Sequence, residues 1–368
     1  MSRRFFIALF CLPACALLLS APAGTTVHSK DKPSLTVKVD CSKKESVGDA
    51  LGQNQTAESL VVEVSGLCHE NVVVRRDRVT LRGADPGVDG IEAVDNEDIN
   101  DAVVWARGVH HLSIENLKLT GGFSGLLATE ANVGSIVLNN CRLEGNAAYG
   151  AQLQTSLVEA HGTTFDTNGN INAALFGTSR LQCSDCTLAD PQGAGPLGTL
   201  RLNLLAFGGH ALFDHSALTN GGIQNTDAAF LSVTDSTVEG PAPNGQSLNT
   251  GGAVVSFVRV QVRGAMRFTQ HSNGELLGVT QTPVAGGPTN VVEDDAFVRV
   301  GDAPPASGGP PSLPSSLRAF TLRNFANLSL LQTSQVVGNL SCGMGANAFC
   351  QTPTNVTGAS TCGLCVKP

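Results

Sequence analysis

The sequence predicts an all-β fold, a single-stranded parallel β-helix that extends over about residues 38–280. One observation is a short pattern of two apolar strands around a polar corner, which recurs seven times. The last residues of the seven copies are Leu119, Leu143, Phe165, Leu188, Leu218, Val238 and Val262, at intervals of 24, 22, 23, 30, 20 and 24. The second observation is that apolar and polar residues alternate within each copy, which gives every strand one inward and one outward face.

The length of the repeat decides between β architectures. A unit of strand, crossover helix and return strand needs more than about 30 residues, so a shorter repeat holds only strands and turns. A β-sandwich, the main alternative, does not explain one phase kept through seven copies. Coils that stack at about 4.8 Å would bury a continuous apolar column. The one interval of 30 contains a Gly- and Pro-bearing insertion at residues 191–197.

Composition restricts the function classes. The chain of 368 residues is 42% hydrophobic and 15% charged, which excludes a disordered protein. Its formal net charge is -8, which argues against a nucleic-acid partner, because phosphate binding needs clustered cations. After the first 23 residues no apolar stretch is long enough to span a bilayer, and the sequence leaves the oligomeric state open.

Residues 1–23 predict a signal peptide. Arg3 and Arg4 precede an apolar run over residues 5–19, and small residues follow at 21–23. Cleavage with lipidation at Cys15 is a competing interpretation, but Pro13 is unusual in such a site. The protein is therefore predicted to be secreted, periplasmic or attached to the cell surface.

Export makes the cysteines candidates for disulfides. Nine follow the signal: Cys41, Cys68, Cys141, Cys183, Cys186, Cys342, Cys350, Cys362 and Cys365. Cys41 and Cys68 flank the first segment, and their bridge would contribute about 3.5 kcal/mol through loop closure. The last four predict two bridges of undetermined pairing; a zinc site, the alternative, is disfavoured because only one pair is closely spaced.

The remaining three cysteines fall within the repeats. Cys183 and Cys186 span one corner and are expected to form a structural bridge or to pack as two thiols. Cys141 lies in the same column as Cys186 but two coils away, too far for a bond. It is the candidate for the odd thiol.

The two ends of the repeat region are predicted separately. Ser42 and Glu45 match a capping box, and Val47, Ala50 and Leu51 fall on one helical face, which predicts a short capping helix over about residues 43–52. After Gly278 the pattern fades. Residues 281–318 are predicted to be a Pro/Gly-rich loop or linker, and residues 319–368 a Cys-rich segment stapled by disulfides.

Several of these segments resemble the right-handed parallel β-helix proteins of the pectate-lyase-like superfamily. The resemblance rests on Val-Thr-Leu-Arg-Gly at 79–83, on residues 112–122, and on the units that begin at Asn146 and Asn168. It implies a right-handed coil, in agreement with the general handedness of parallel crossovers. The superfamily contains lyases, hydrolases, epimerases, adhesins and proteins without known activity, so it does not specify a function.

Hydrolases of this superfamily carry an Asn-Thr-Asp motif, which residues 225–227 match. The paired aspartates that should follow occur only at 294–295, inside the Pro/Gly-rich region, so the match is treated as chance. Lyases of the superfamily use Arg or Lys as a base beside calcium. No Lys occurs between Lys118 and Lys367, and Arg142, Arg180 and Arg201 are explained as solvated outward residues.

One corner position is polar in every repeat. It is occupied by Asn116, Asn140, Gly162, Asp185, His215, Asp235 and Arg259. Asp185, His215 and Asp235 should therefore stack, which makes them weak candidates for proton transfer or metal binding. The favoured interpretation is a structural ladder of polar corners.

A second weak candidate is an acidic connection. Asp95, Glu97, Asp98 and Asp101 lie close together in the sequence, and clustered carboxylates can bind calcium. A solvated loop is the favoured interpretation, because charge runs usually face water. No cofactor other than calcium is suggested.

The sequence therefore predicts a non-catalytic β-helix of the cell surface or extracellular matrix, with an extended polymer such as a polysaccharide as partner. The alternative is a polysaccharide lyase, epimerase or glycoside hydrolase, the first two acting on acidic glycans. Trp105 and Tyr149 are the only Trp and Tyr, which argues modestly against tight sugar stacking. The acidic net charge disfavours acidic substrates unless calcium bridges them.

Overall fold

A computed structural model describes residues 34–130, 135–241, 245–282, 287–303, 313–363 and 365. The predicted signal peptide lies outside these residues. The described chain winds through three parallel sheets, here called A, B and C in the order in which each coil visits them. No helix in these ranges is long and apolar enough to cross a bilayer.

Sheet A has 14 strands, one from each coil in sequence order. They are Ser34–Asp40, Ser59–Ser65, Val79–Arg82, Leu112–Glu115, Ser135–Asn139, Leu157–His161, Arg180–Ser184, His210–Asp214, Phe230–Thr234, Val254–Val258, Asn273–Leu277, Phe297–Gly301, Asn327–Leu330 and Asn347–Cys350.

Sheets B and C are joined near the C-terminal end, where one strand pairs with both. Sheet B contains Leu67–His69, Gly90–Glu92, Lys118–Thr120, Arg142–Glu144, Thr164–Asp166, Thr187–Ala189, Ala217–Thr219, Thr237–Glu239, Gln261–Arg263 and Thr280–Thr282. Sheet C contains Val72–Val74, Ala102–Arg107, Ser124–Thr129, Tyr149–Gln154, Ile171–Phe176, Leu202–Phe207, Gly222–Thr226, Gln246–Gly251, Ala265–Thr269, Asn290–Val292 and Gln335–Cys342. The shared strand is Ser316–Leu322.

The apolar residues of the repeat form one internal file. Leu143 pairs with Phe165, and Phe165 with Leu188, and all three side chains are fully buried. The file continues through the other four repeat ends in unbroken register. The predicted parallel β-helix is confirmed, because only coils stacked at constant register place these residues in contact.

The seven predicted corner residues all adopt the left-handed backbone conformation, with φ between 48° and 56°. Asn, Asp and His are the non-glycine residues that best tolerate this conformation, which explains their frequency in the column. The side chain of Asn140 donates to Asn116 Oδ1 at 2.8 Å. This part of the column is the polar ladder that the sequence predicts.

The N-terminal helix begins later than predicted. It spans Val47–Gln53, and its N-cap is Ser46, whose hydroxyl accepts from the Asp49 N–H. Ser42 instead belongs to the 3-10 turn Cys41–Lys43, which Asp40 caps, while Lys44 adopts a left-handed conformation that interrupts any longer helix. The three residues predicted to share a face, 47, 50 and 51, are buried in the main core.

The coils do not end at residue 280. Asn290–Val292 and Phe297–Gly301 pair with the preceding strands of sheets C and A, and further coils follow as far as Asn347–Cys350. The division at 280, with a linker over 281–318 and a separate segment over 319–368, therefore misplaces the end of the β-helix. The pattern fades because insertions and an irregular register near Arg318 break the regular spacing, while the parallel pairing continues.

Three disulfides close the two ends. Cys41 bonds to Cys68 as predicted, and the last four cysteines form the pairs Cys342–Cys362 and Cys350–Cys365. The zinc alternative is thus wrong for this cluster. Cys141, Cys183 and Cys186 are buried free thiols. Burial raises the pKa of Cys141 to about 12, and burial beside Cys186 raises that of Cys183 well above its ordinary value.

We expect the three buried thiols to be unreactive in the folded protein. A thiol reagent such as DTNB should label none of them in a chain that lacks residues 1–23, because thiolate is the reactive form and these thiols are shielded. In denaturant without reductant it should label three, since six of nine cysteines are in disulfides. Rapid labelling under native conditions would contradict the burial of this column.

Replacing Phe165 by Ala should lower the free energy of unfolding by about 3–5 kcal/mol, because it opens a cavity in the internal file. Phe207→Ala is a matched control, since that ring is 52% exposed and its loss should change stability by only about 0.5 kcal/mol. Denaturant titrations of both variants measure the difference. Equal effects would be incompatible with the stacked core.

Candidate functional site

The corner candidates Asp185, His215 and Asp235 do lie in successive coils. The sheet pairing sets this order, because Asp185 N donates to Asp214 O and His215 N donates to Thr234 O. The direct partner of the imidazole is a residue that the sequence analysis did not select: His215 Nδ1 lies 3.0 Å from Asp214 Oδ2. Asp214 was missed because it ends the preceding strand and is not a corner residue.

The third carboxylate of this group is paired elsewhere. Arg259 Nε and Nη2 donate to the two oxygens of Asp235 at 2.6 and 2.7 Å. The guanidinium lowers the pKa of Asp235, and the carboxylate raises the pKa of Arg259. This ion pair between adjacent coils is consistent with the ladder interpretation.

The imidazole is surrounded by negative charge. The hydrogen bond that the imidazole N–H donates to Asp214 raises the pKa of His215, and the charges of Asp214, Asp235 and Asp185 raise it further. One donor atom each from Asp214, His215 and Asp235 lies within 4.8 Å of the others. Both members of the Asp214–His215 pair are more than half exposed. The cluster can therefore hold a proton or a cation, but it does not form an enclosed site.

The acidic connection consists mainly of exposed turns. Asp101 accepts from the Asp98 N–H at 2.7 Å, and the Asp95 N–H donates to Asn71 at 3.2 Å, so these residues mainly shape exposed turns. No group around Glu97 brings three ligands together in this part of the chain. Asp95, Glu97 and Asp98 are exposed to solvent, and the weak calcium site considered for them and for Asp101 stays a prediction.

A cleft of about 690 Å³ lies at the N-terminal corner, and many of the residues that line it are charged. Lys43 pairs with Asp40 at 2.8 Å, and Lys38 with Glu63 at 3.9 Å. Asp89, also in its wall, accepts three backbone N–H groups that lower its pKa against the opposing effect of burial. Its charged groups are explained by the fold, and the wall also contains apolar residues such as Val39 and Val64.

The outward face of sheet C is different. It carries Trp105, Tyr149, Phe176 and Phe207, with Phe123 in the adjoining turn, and these include the only Trp and Tyr of the chain. Phe123 and Tyr149 have ring centroids 5.9 Å apart. They belong to a second apolar cluster, separate from the core, against which Phe176 and Leu205 pack. Burial raises the pKa of Tyr149.

Two aromatic residues of this face are accessible from solvent at its edges. Trp105 is half-buried, its indole N–H donates to Thr129 at 3.1 Å, and the Arg107 guanidinium lies 5.3 Å from its ring centroid. Phe207 is 52% exposed and follows Phe176 in the next coil. This cation–π contact between Arg107 and Trp105 holds the guanidinium beside the flat indole ring.

The outward strand positions of sheet C form two columns. Strand pairing orders them as Trp105, Leu127, Gln152, Ala174, Leu205, Gln224, Asn249 and Arg267, and as Arg107, Thr129, Gln154, Phe176, Phe207, Thr226, Gly251 and Thr269. None of these residues is Asp or Glu, although the chain contains 31. We call this surface the aromatic face.

The insertion of the long repeat borders the aromatic face. Asn170 holds it through bonds to the Leu197 N–H at 3.0 Å and the Gly198 carbonyl at 2.8 Å. A cleft of about 410 Å³ runs between Leu200 and Arg201 of this loop and Gln224 and Asn249 of the sheet. The face thus has a raised wall on one side.

No protein-family model matches the chain, and no curated protein matches it. Among solved structures, the catalytic unit of a GH87 α-1,3-glucanase from Streptomyces thermodiastaticus is 12% identical, with a TM-score of 0.44, covering 92% of this chain and 70% of that one. An alginate lyase from Paenibacillus sp. is 9% identical, with a TM-score of 0.36, covering 88% and 98%.

Tailspike protein 2 of Escherichia coli O157:H7 bacteriophage CAB120 is 9% identical, with a TM-score of 0.39, covering 82% of this chain but only 42% of the tailspike. Likeness at these identities and scores carries no argument about activity. The fold is the parallel β-helix that the resemblance to the pectate-lyase-like superfamily implied, and its function has to be argued from its own residues.

The position of Asp214 predicts a measurable change in the titration of His215. Asp214→Asn should lower the pKa of His215 towards 6.5, its ordinary value, because the main partner of the charged imidazole is removed. NMR titration of the imidazole protons measures this, with the His271 signal as an internal reference. Since the folded protein favours protonated His215, any stabilisation is present at low pH and lost as pH rises through that pKa. An unchanged pKa would contradict the observed contact.

Proposed function

We propose that this protein is an exported, non-catalytic β-helix that binds an extended polysaccharide along the aromatic face. The observation that carries the proposal is the composition of that face: accessible aromatic rings, amides and arginines share its outward columns, and none of the residues in those columns is a carboxylate. The three disulfides and the predicted signal peptide support a location outside the cytoplasm.

The aromatic rings supply the apolar part of such a site. Sugar rings present flat C–H faces that pack on aromatic side chains, which bury a large area at fixed geometry. In the core, Phe165 and similar residues are fully buried, so exposure of Phe207 is not explained by folding. Accessible apolar patches with polar borders commonly mark interaction sites.

The polar residues of the face suit a linear partner. Gln154, Gln224 and Asn249 are half-buried amides whose donors and acceptors can meet sugar hydroxyls. Equivalent positions repeat with each coil, at about 4.8 Å, so a polymer lying along the axis meets evenly spaced side chains, among them several amides and rings. Many weak contacts along one chain add to a useful affinity.

The charge close to the aromatic face affects a bound polymer more than the net charge of -8 does. Acidic residues repel an anionic polymer only where they lie close to it, because screening limits their range to about 10 Å. The strand positions of the aromatic face hold Arg107 and Arg267 but no carboxylate, and Arg267 forms an ion pair with Glu293, which lies just beyond these positions. The face therefore accepts either neutral or acidic glycans, and calcium is not needed to bridge them there.

The same composition favours binding over cleavage. Glycoside hydrolysis generally uses two carboxyl groups about 5–10 Å apart around the scissile bond. The outward strand positions between residues 102 and 269 provide none, and the Asp214–His215 pair lies at the corner between sheets A and B. A lyase or epimerase remains the alternative function, with an outward arginine such as Arg107 as its base.

We expect Trp105→Ala and Phe207→Ala each to weaken binding of the polymer at least tenfold, because each removes a stacking surface. Phe325→Ala is the matched control, since that ring is 60% exposed but lies outside sheet C. Affinity electrophoresis against neutral glucans, pectate and alginate identifies the ligand, and calorimetry measures its affinity. Retention of binding in both face variants, or its loss in Phe325→Ala, would contradict the site.

The enzymatic alternative is tested on the same panel. Reducing ends and unsaturated products should not accumulate, with or without calcium. Turnover that is lost in Arg107→Ala would replace the binding function with a lyase or epimerase.

A further inference from the structure

The corner cluster is separate from the aromatic face, and the proposed function does not use it. We propose that Asp214, His215 and Asp235, with Asp185 in the adjacent coil, form a surface site for a borderline divalent cation such as Zn²⁺. The ligand set consists of one imidazole nitrogen and the carboxylate oxygens of Asp214 and Asp235, from two successive coils, and Asp185 adds a negative charge from the coil before.

The positions of the donor atoms fit this class of ligand. Three atoms that lie within 4.8 Å of one another have a common point no more than about 2.8 Å from each, the circumradius of an equilateral triangle of that side. Zinc bonds to nitrogen and oxygen are about 2.0–2.2 Å long. Rotations of these exposed side chains close a gap of this size, and the coil spacing sets the separation between the ligands.

The local charge also favours a dication. Asp185, Asp214 and Asp235 contribute three negative charges, and Arg259, the nearby guanidinium, is bonded to both oxygens of Asp235. The carboxylates of Asp185 and Asp214 therefore act on the imidazole, and both attract positive charge to it. A dication would compete with a proton for the imidazole nitrogen.

The other residues of the corner column show that stacked corners do not need Asp and His side chains. Asn116 and Asn140 fill the same position with neutral amides that bond directly to each other. His69 lies 3.0 Å from Glu92, the same separation as His215 from Asp214, but it has no further ligand beside it among the described residues. It is thus a matched imidazole–carboxylate pair without the additional carboxylates.

The imidazole decides the choice of metal. Oxygen ligands alone suit Ca²⁺ and Mg²⁺, whereas imidazole with carboxylates suits Zn²⁺ and Ni²⁺. The neutral imidazole is the form that binds metal, so protons compete for the same nitrogen. Arg259 competes for Asp235 and should weaken the site in the unmodified protein.

The test is calorimetric titration of the mature chain with ZnCl₂ in a non-coordinating buffer, with CaCl₂ in parallel. One zinc per chain is expected, with at least tenfold weaker binding in His215→Asn and unchanged binding in His69→Asn. Asn is chosen because it already occupies this left-handed corner in two other coils. Circular dichroism confirms that each variant is folded.

Arg259→Gln is expected to have the opposite effect on zinc affinity to His215→Asn. It should tighten zinc binding severalfold, because it frees the oxygens of Asp235, and zinc should suppress the NMR titration of His215 in the unmodified protein. The proposal is overturned if zinc does not saturate the protein, if His215→Asn binds as well as the unmodified chain, or if calcium binds equally well. None of these outcomes depends on polysaccharide binding.

Discussion

Parallel hydrogen bonding between successive coils, at constant register, is the constraint on which the structure depends. Each coil donates to and accepts from its neighbours, so a residue's position within the repeat decides which column it joins. A residue type that suits one column is then needed again about 23 positions later. The buried file through Leu143, Phe165 and Leu188, the left-handed corners and the outward columns all follow from this one rule.

The same register has opposite consequences for charge on different faces. On sheets A and B, opposite charges meet across adjacent coils, as Arg82 meets Glu115 and Arg263 meets Glu239, both at 2.7 Å. On the aromatic face, stacking brings together amides and rings, and carboxylates are absent from the strand positions. Since stacking repeats each outward position about every 4.8 Å, this face presents evenly spaced side chains over many coils, a geometry that suits an extended partner.

The ends of the coil need a different solution, because a stacked column exposes its apolar file where stacking stops. At the first coil, Val47 and Leu51 of the short helix are buried in the core beside the Cys41–Cys68 bridge. At the last, Cys362 and Cys365 are buried and bonded to the final strands of sheets C and A. Covalent ties at both ends limit fraying, which in a solenoid begins where a coil has only one neighbour.

The sequence by itself determined the repeat, the buried file, the polar corner column and the Cys41–Cys68 bridge, because each depends on local alternation or on residues at fixed spacing. The tertiary structure alone decided the pairing of the last four cysteines, the continuation of coils past residue 280 and the role of Asp214. It also decided the aromatic face: Trp105, Tyr149, Phe176 and Phe207 lie in different repeats, at spacings that turns and insertions of unequal length make irregular. Only the hydrogen-bonded register of sheet C, which acts across those turns, places them on one surface.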